Sequence, residues 1–116
     1  MKKYLSILIL LLSISMQAQK LSSSFDVKQY AQDQTALVKS SLNLDQATSD
    51  LVYKAFLGKA HSIQKYILLK EINNEVNGQP LEQIIKSVEK DAERGSGFQV
   101  RMKGILKDKY DDFLNM

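Results

Sequence analysis

The chain has 116 residues, with 16 basic and 13 acidic side chains, a formal net charge of +3 and no cysteine. This length suits one small domain, and without cysteine neither a disulfide bond nor a lipid-modified N-terminal cysteine can form. So small a charge excess is not typical of a strongly basic nucleic-acid-binding domain, and we expect no nucleic acid among the partners.

The first 18 residues have the three parts of a secretory signal peptide. Met1-Lys2-Lys3 is a short positive region, residues 5–16 are apolar apart from serines, and Met16-Gln17-Ala18 offers a cleavage boundary before Gln19. The apolar run has only about a dozen residues, whereas a transmembrane helix needs about 20. We therefore predict a cleaved signal peptide at 1–18, a periplasmic or secreted protein, and no stable membrane anchor after processing. An uncleaved anchor is the alternative.

Removal of the signal peptide lowers the net charge and leaves a small domain that must be stabilised without disulfide bonds. It removes Lys2 and Lys3 and leaves 98 residues with 14 basic and 13 acidic side chains. An exported domain of this size often uses disulfide bonds, which this chain cannot form. Its stability must come from helix packing, self-association or both. We predict a flexible leader at 19–24 and a single all-helical domain at 25–116.

The first two predicted helices differ in how regularly their apolar residues are spaced. Ser24 is a suitable N-cap for a helix over residues 25–42, where the apolar spacing is only loosely helical. Asp45 can accept hydrogen bonds from the first-turn amides of a second, longer helix that extends to residue 77. Its apolar side chains follow three-and-four spacing through about nine turns: Leu51, Val52, Ala55, Phe56, Ile63, Tyr66, Ile67, Leu69, Ile72 and Val76.

Two further expectations concern this long helix. Gly58 lies inside it, and we interpret the glycine as a place of close helix packing, with a hinge as the alternative. The apolar residues cover more than one narrow stripe, so some of them, Phe56 and Ile63 included, should stay exposed after intrachain packing. Exposed apolar surface of this kind usually marks an interface, and we predict a homodimer formed through residues 45–77. The alternative is that clients bind to the same surface.

The remaining helices are separated by glycine and proline. Asn77-Gly78-Gln79-Pro80 ends the long helix, since glycine favours the left-handed position after a helix and proline suits the start of the next. Gly95-Ser96-Gly97 separates the last two helical stretches, and Asp108 is a candidate cap for a separate final turn. The helix before the glycines has an apolar stripe at three-and-four spacing, made of Leu81, Ile84, Ile85, Val88 and Ala92. No segment alternates with period two. We therefore predict an all-α fold, a small helical bundle or curved helical hairpin of about four helices.

The residues able to carry chemistry form no recognisable site. His61 is the only histidine, and no carboxylate or thiolate lies three or four residues from it, so we interpret it as an ordinary helix residue. The serines are not set in a nucleophile elbow, and the calcium-loop spacing of aspartates is absent. We predict no catalytic residue, no metal site and no cofactor.

A binding surface is the more promising interpretation. Residues 98–103 (FQVRMK) interleave aromatic, flexible apolar and basic side chains, a composition that suits an adaptable surface for varied protein segments. We predict a client or partner surface formed by six residues: Lys54, Phe56, Lys65, Phe98, Arg101 and Met102. The alternative is that its apolar members simply form the core of the bundle.

Two segments resemble a known motif. Residues 42–48 (LNLDQAT), before the long helix, are similar to the first L-x-L-T-x-x-Q element of the small Spy/CpxP-like envelope proteins, and residues 105–113 (ILKDKYDDF) are similar to the second. Asp45 and Thr48 stand where the family has threonine and glutamine; Lys107 and Tyr110 do so in the second copy. The motif-like helix starts are thus Leu44, Asp45, Thr48, Leu106, Asp108 and Tyr110.

The resemblance implies a thin, curved four-helix protein that pairs into a cradle-shaped dimer and acts without ATP. Members of the family are chaperones for unfolded envelope proteins or stress-sensing modulators of a membrane receptor. Some bind metal through histidines that this chain lacks, and we do not expect metal binding here.

These observations lead to one functional prediction and two alternatives. We predict an exported, ATP-independent, chaperone-like or stress-modulating binding protein of the bacterial envelope, whose partners are unfolded or partner envelope proteins. The first alternative is a small secreted inhibitor or regulatory ligand with one dedicated protein partner. The second is an enzyme whose site the sequence does not reveal.

Overall fold

The computed structural model describes residues 20–116, so the predicted signal peptide at 1–18 and the boundary at Gln19 lie outside the described residues. Every regular element of the described part is helical, which confirms the prediction of an all-α fold. The elements are α1 (Lys20–Ser24), α2 (Val27–Leu42), α3 (Gln46–Ile72), α4 (Leu81–Ser96), α5 (Phe98–Leu106), a 3-10 turn (Lys107–Lys109) and α6 (Tyr110–Leu114). Between residues 20 and 116, no helix combines the length and the apolar character that crossing a membrane requires.

Residues 20–24 are a docked helix, so the prediction of a flexible leader is wrong for this segment. The Ser22 amide donates to Oε1 of Glu71 over 2.6 Å, and Nε2 of Gln64 donates to the Ser22 carbonyl over 3.1 Å. Phe25 follows directly and is buried in the core. These contacts with α3 hold α1 in place, since five residues are too few to form a stable helix alone.

Helix α2 begins after Asp26 rather than after Ser24. The Asp26 side chain accepts a hydrogen bond from the Gln29 amide over 3.0 Å, as an N-cap does. The predicted cap was two residues early because Phe25 leaves the helical path to enter the core. At the other end, Asn43 adopts a left-handed conformation with φ of 54° and turns the chain into α3.

Helix α3 begins where the sequence predicts and ends one turn early. Asp45 is its N-cap, with Oδ1 accepting from the Thr48 amide over 2.7 Å. The helix stops at Ile72, because Asn74 and Asn77 adopt left-handed conformations that asparagine tolerates better than most residues.

The core lies along α3, which packs against α1, α2, α4 and α5. One buried cluster joins the first half of α3 to α2 and α5, and a second joins its later half to Phe25 and α4. The predicted stripe of α4 faces this second cluster, with Ile84, Val88 and Ala92 fully or almost fully buried. Gly97 ends α4 in a left-handed conformation with φ of 65°, as the glycine pair predicts.

The two motif-like helix starts differ in capping. Asp45 caps α3, whereas Asp108 lies inside the 3-10 turn, and α6 begins at Tyr110 without a side-chain cap. The prediction that Asp108 caps the final turn is therefore wrong. The chain leaves α5 through Lys107, whose φ of 54° starts the tighter turn that carries Asp108 out of the capping position.

This difference predicts unequal effects of two matched substitutions. Asp45→Ala is expected to lower the urea midpoint of unfolding because a first-turn amide loses its acceptor, while Asp108→Ala leaves it unchanged. The hydrogen bond from Thr48 holds the pKa of Asp45 below its ordinary value. The stability from this cap is therefore present above the unfolded-state pKa and lost as the pH falls through the folded one. Equal midpoints for the two variants would contradict the assignment.

Candidate functional site

The exposed side of α3 carries a row of residues that we call the α3 outer face: Leu51, Lys54, Gly58, His61, Lys65, Leu69 and Ile72. They recur at three- and four-residue spacing and therefore lie on one side of the helix. Leu51, Leu69 and Ile72 are 50%, 42% and 64% exposed, and the two lysines and the histidine are exposed as well. The centre of the face is basic, its two ends are apolar, and none of its seven residues is acidic.

Arg101 of α5 joins this face at Gly58. A Cβ atom at position 58 would lie 3.0 Å from Nη1 of Arg101, so the glycine allows the guanidinium to lie directly against α3. Gly58 thus serves a close approach, although by a side chain rather than by a second helix. Lys54, Lys65 and Arg101, predicted from the sequence as surface residues, are all exposed and share this part of the molecule. Within residues 20–116, none of the three forms an ion pair.

The other three predicted surface residues are in the core. Phe56, Phe98 and Met102 are 2%, 1% and 0% exposed, and the rings of Phe56 and Phe98 pack with their centroids 4.9 Å apart. The prediction that they form a client surface is therefore wrong, and the alternative that they form the bundle core is right. The physical reason is helical periodicity, which places Phe56 on the same side of α3 as the buried Val52 and Ile63.

The same burial removes the argument for a dimer interface at Phe56 and Ile63. Ile63 is 0% exposed, so neither side chain is left over after intrachain packing. The large apolar side chains that α3 does expose lie towards its two ends, at Leu51, Leu69 and Ile72. Self-association through α3 therefore loses the two residues from which it was argued, and the exposed Leu51, Leu69 and Ile72 are open either to a second copy or to another partner.

A buried ionic network, which the sequence analysis missed, ties the helices together. Nζ of Lys59 lies 3.0 Å from Oε1 of Glu93, with the two side chains 7% and 25% exposed. Nε2 of Gln99 donates to Oε2 of Glu93 over 3.2 Å, and the Tyr110 hydroxyl donates to Oε1 of Gln99 over 2.8 Å. The network therefore links α3, α4, α5 and α6.

Aromatic rings surround the ammonium group of Lys59. Nζ lies 4.9 Å from the ring centroid of Phe98, 5.8 Å from that of Phe56 and 5.9 Å from that of Tyr30, distances at which a cation is attracted to a ring face. Burial lowers the pKa of Lys59, but attraction to Tyr30 and Glu93 outweighs it and the net pKa is raised. Burial raises the pKa of Tyr30 although Lys59 opposes the shift. At neutral pH, Lys59 is thus a charged, paired residue with a structural role.

The two motif-like segments meet in space. Nζ of Lys109 donates to the Leu42 carbonyl over 3.2 Å, at the end of α2, and its charge adds to the lowering of the Asp45 pKa. Leu44 and Leu106 belong to the same buried cluster, and Tyr110 packs against it. Segments about 60 residues apart in the sequence therefore form one junction, where Lys109 satisfies a free carbonyl at a helix end.

A groove borders the α3 outer face at His61. Its volume is about 520 Å³, and Leu57, Gln64, Asp26 and Lys28 are among its lining residues. This groove has both apolar and charged walls and opens beside the basic centre of the face. In the part of the chain that the structure describes, no group of three or more His, Cys, Asp or Glu side chains is placed to hold a metal ion.

No protein-family model, curated protein or solved structure matches this chain. The resemblance to the Spy/CpxP-like proteins stays a prediction.

Proposed function

We propose that this chain is an exported, ATP-independent, chaperone-like binding protein of the bacterial envelope, and that its α3 outer face captures protein segments that are both acidic and apolar. The composition of that face carries the proposal. Three cationic groups without an ion-pair partner among residues 20–116, Lys54, Lys65 and Arg101, lie between exposed apolar ends. Export itself rests on the predicted signal peptide.

The two parts of the face have different tasks in this mechanism. The basic centre speeds the encounter with acidic segments, because opposite charges attract over about a Debye length. The apolar ends at Leu51 and Leu69–Ile72 hold apolar side chains of the client. From residue 51 to residue 72 an α-helix extends about 30 Å, which matches roughly nine residues of an extended chain. Such shallow contacts suit reversible capture of many different segments.

Charge favours a client over a second copy as the occupant of this face. In an antiparallel pairing of two copies centred between Gly58 and His61, Lys54 of one would oppose Lys65 of the other, and like charges brought together are unfavourable. An acidic client neutralises the same residues. Light scattering on purified protein tests this step: we expect no dimer through α3 at low salt, and a dimer that Leu51→Ser/Ile72→Ser abolishes would show that a second copy occupies the face.

The proposed activity is tested by the aggregation of an unrelated unfolding protein in the absence of nucleotide. We expect residues 19–116 to suppress the light scattering of that protein. Lys54→Glu/Lys65→Glu is expected to weaken suppression of an acidic client several-fold, while Lys86→Glu/Lys90→Glu, the same charge change on exposed positions of α4, retains it. Ile72→Ser and Leu37→Ser form a second matched pair, since both residues are exposed but only Ile72 belongs to the α3 outer face.

Two results would count against the proposal. If the wild-type protein suppresses no aggregation but binds one envelope protein stoichiometrically, the chain is a dedicated inhibitor or regulatory ligand. If both lysine pairs weaken suppression equally, the effect is one of net charge and the α3 outer face has no special part in it.

A further inference from the structure

Gly58 occupies a place in α3 that no backbone requirement explains. It lies inside a continuous helix of 27 residues, and it is not one of the described glycines with positive φ. A glycine inside a helix disfavours that helix about fivefold relative to alanine. Among residues 20–116, and apart from the local helix backbone, the only atom within 4 Å of a Cβ at this position would be Nη1 of Arg101, at 3.0 Å. The absence of a side chain at position 58 therefore makes room for the Arg101 guanidinium.

The guanidinium held in this way has no partner in the described part of the chain. Among residues 20–116 it forms neither an ion pair nor a hydrogen bond, although a guanidinium carries five N–H donors. Arg101 is exposed, and the exposed residues of α3 about one turn before and after Gly58 are Lys54 and His61, which add no negative charge. The close approach therefore contributes no pairing to the fold, and it leaves the donors of Arg101 available to an anion from outside.

We propose that Arg101 binds a carboxylate of the client segment through two parallel hydrogen bonds, and that Gly58 positions its guanidinium for this contact. The planar fork of a guanidinium matches the two oxygens of a carboxylate, whereas a lysine offers a point charge. Lys54 and Lys65 attract acidic segments over a distance, and Arg101 selects those whose carboxylate fits its fork. Aspartate and glutamate side chains and a free C-terminus all present this group. The proposal deepens the proposed function and rests on it.

Two matched arginine variants test the role of Arg101. The probe is an unfolded peptide that is acidic and apolar, and its dissociation constant is measured by fluorescence anisotropy. Arg101→Lys keeps the positive charge but loses the planar fork, and we expect it to weaken binding about fivefold. Arg94→Lys makes the same change at an exposed position of α4 and should leave the affinity unchanged. Equal effects of the two substitutions would overturn the proposal.

A leucine at position 58 tests whether the glycine positions Arg101. The leucine side chain would take the place of the guanidinium, so Gly58→Leu should also weaken binding about fivefold. Leucine favours a helix more than glycine does, and the unfolding equilibrium constant in urea should therefore not rise. Because both changes remove the same contact, Gly58→Leu/Arg101→Lys should bind no more weakly than either single variant. Additive losses, or wild-type affinity in Gly58→Leu, would overturn the positioning role of Gly58.

Two forms of the peptide identify the source of the carboxylate. One form keeps its glutamate side chains and has an amidated C-terminus, and the other has glutamine in their place and a free C-terminus. The bound carboxylate belongs to the form whose affinity Arg101→Lys lowers, and a loss with neither form would overturn the proposal. If the wild-type chain binds no form of the peptide, the proposed function fails and the role of Arg101 fails with it. If Lys54→Glu/Lys65→Glu weakens binding but Arg101→Lys does not, only the role of Arg101 is overturned.

Discussion

Replacing Phe98 with alanine is expected to lower the free energy of unfolding by about 4 kcal/mol. The ring is 1% exposed and packs against Phe56 and Phe113, with centroid distances of 4.9 and 6.2 Å. It is also the aromatic ring whose centroid lies nearest to the Lys59 ammonium group. Truncation leaves a cavity where α3, α5 and α6 meet, and urea unfolding followed by circular dichroism measures the loss.

Val100 provides the control for this substitution. It lies two residues along α5 and is 79% exposed, so Val100→Ala should change the free energy of unfolding by no more than about 0.5 kcal/mol. If Phe98→Ala kept the wild-type stability and weakened client binding instead, Phe98 would belong to a surface, as the sequence alone predicts.

Replacing Lys59 with alanine is expected to cost about 3 kcal/mol of stability. The substitution leaves the Glu93 carboxylate, 25% exposed, without its cation, and breaking a buried pair from one side is strongly destabilising. It also removes the cation that three aromatic rings surround. The matched substitution Lys65→Ala, on the exposed side of the same helix, should cost no more than about 0.5 kcal/mol.

Two further measurements separate the charge of Lys59 from its packing. Lys59→Met/Glu93→Leu should cost less than the two single substitutions added together, because neither charge is then left unpaired. The raised pKa values of Lys59 and Tyr30 mean that their stability contributions are complete below the unfolded-state pKa values near 10 and are lost as the pH rises further. Additive costs, together with a stability unchanged between pH 9 and 11, would contradict the network.

Local rules predicted much of the fold. The Asp45 cap, the stripe of α4 and the break at Gly97 depend on side-chain oxygens, apolar spacing and glycine conformation, all of which act within a few residues. Helix α1 was missed because its stability comes from Glu71 and Gln64, more than 40 residues away. A five-residue helix held by such contacts has no strong local signal.

Of the six residues predicted to form a client surface, only the three charged ones are exposed. Periodicity shows which residues share a side of a helix, but it does not show which side meets the core, so Phe56 was placed on the surface. The sequence does contain a sign of the two buried charged residues of α3, Lys59 and Glu71. Lys59 lies three residues after Phe56 and four before Ile63, and Glu71 lies four residues after Ile67, so both continue the apolar stripe of α3. A charged residue at such a position indicates a buried partner.

The contact of Arg101 with Gly58 has no comparable signal. It joins residues 43 positions apart on two helices, and its only local trace is a glycine inside a helical pattern. Such a glycine indicates a close approach without identifying the group that approaches.

The binding role of the α3 outer face is tested most directly by mapping client contacts on the protein in solution. Isotope-labelled residues 19–116 are titrated with an unfolded peptide that is acidic and apolar, and the amide shifts are followed by NMR. We expect shifts along the α3 outer face, from Leu51 to Ile72, and at Arg101, and we expect Lys54→Glu/Lys65→Glu to abolish them. Shifts confined to the residues around Arg94 on α4 and Val100 on α5 would contradict the proposed role of the α3 outer face.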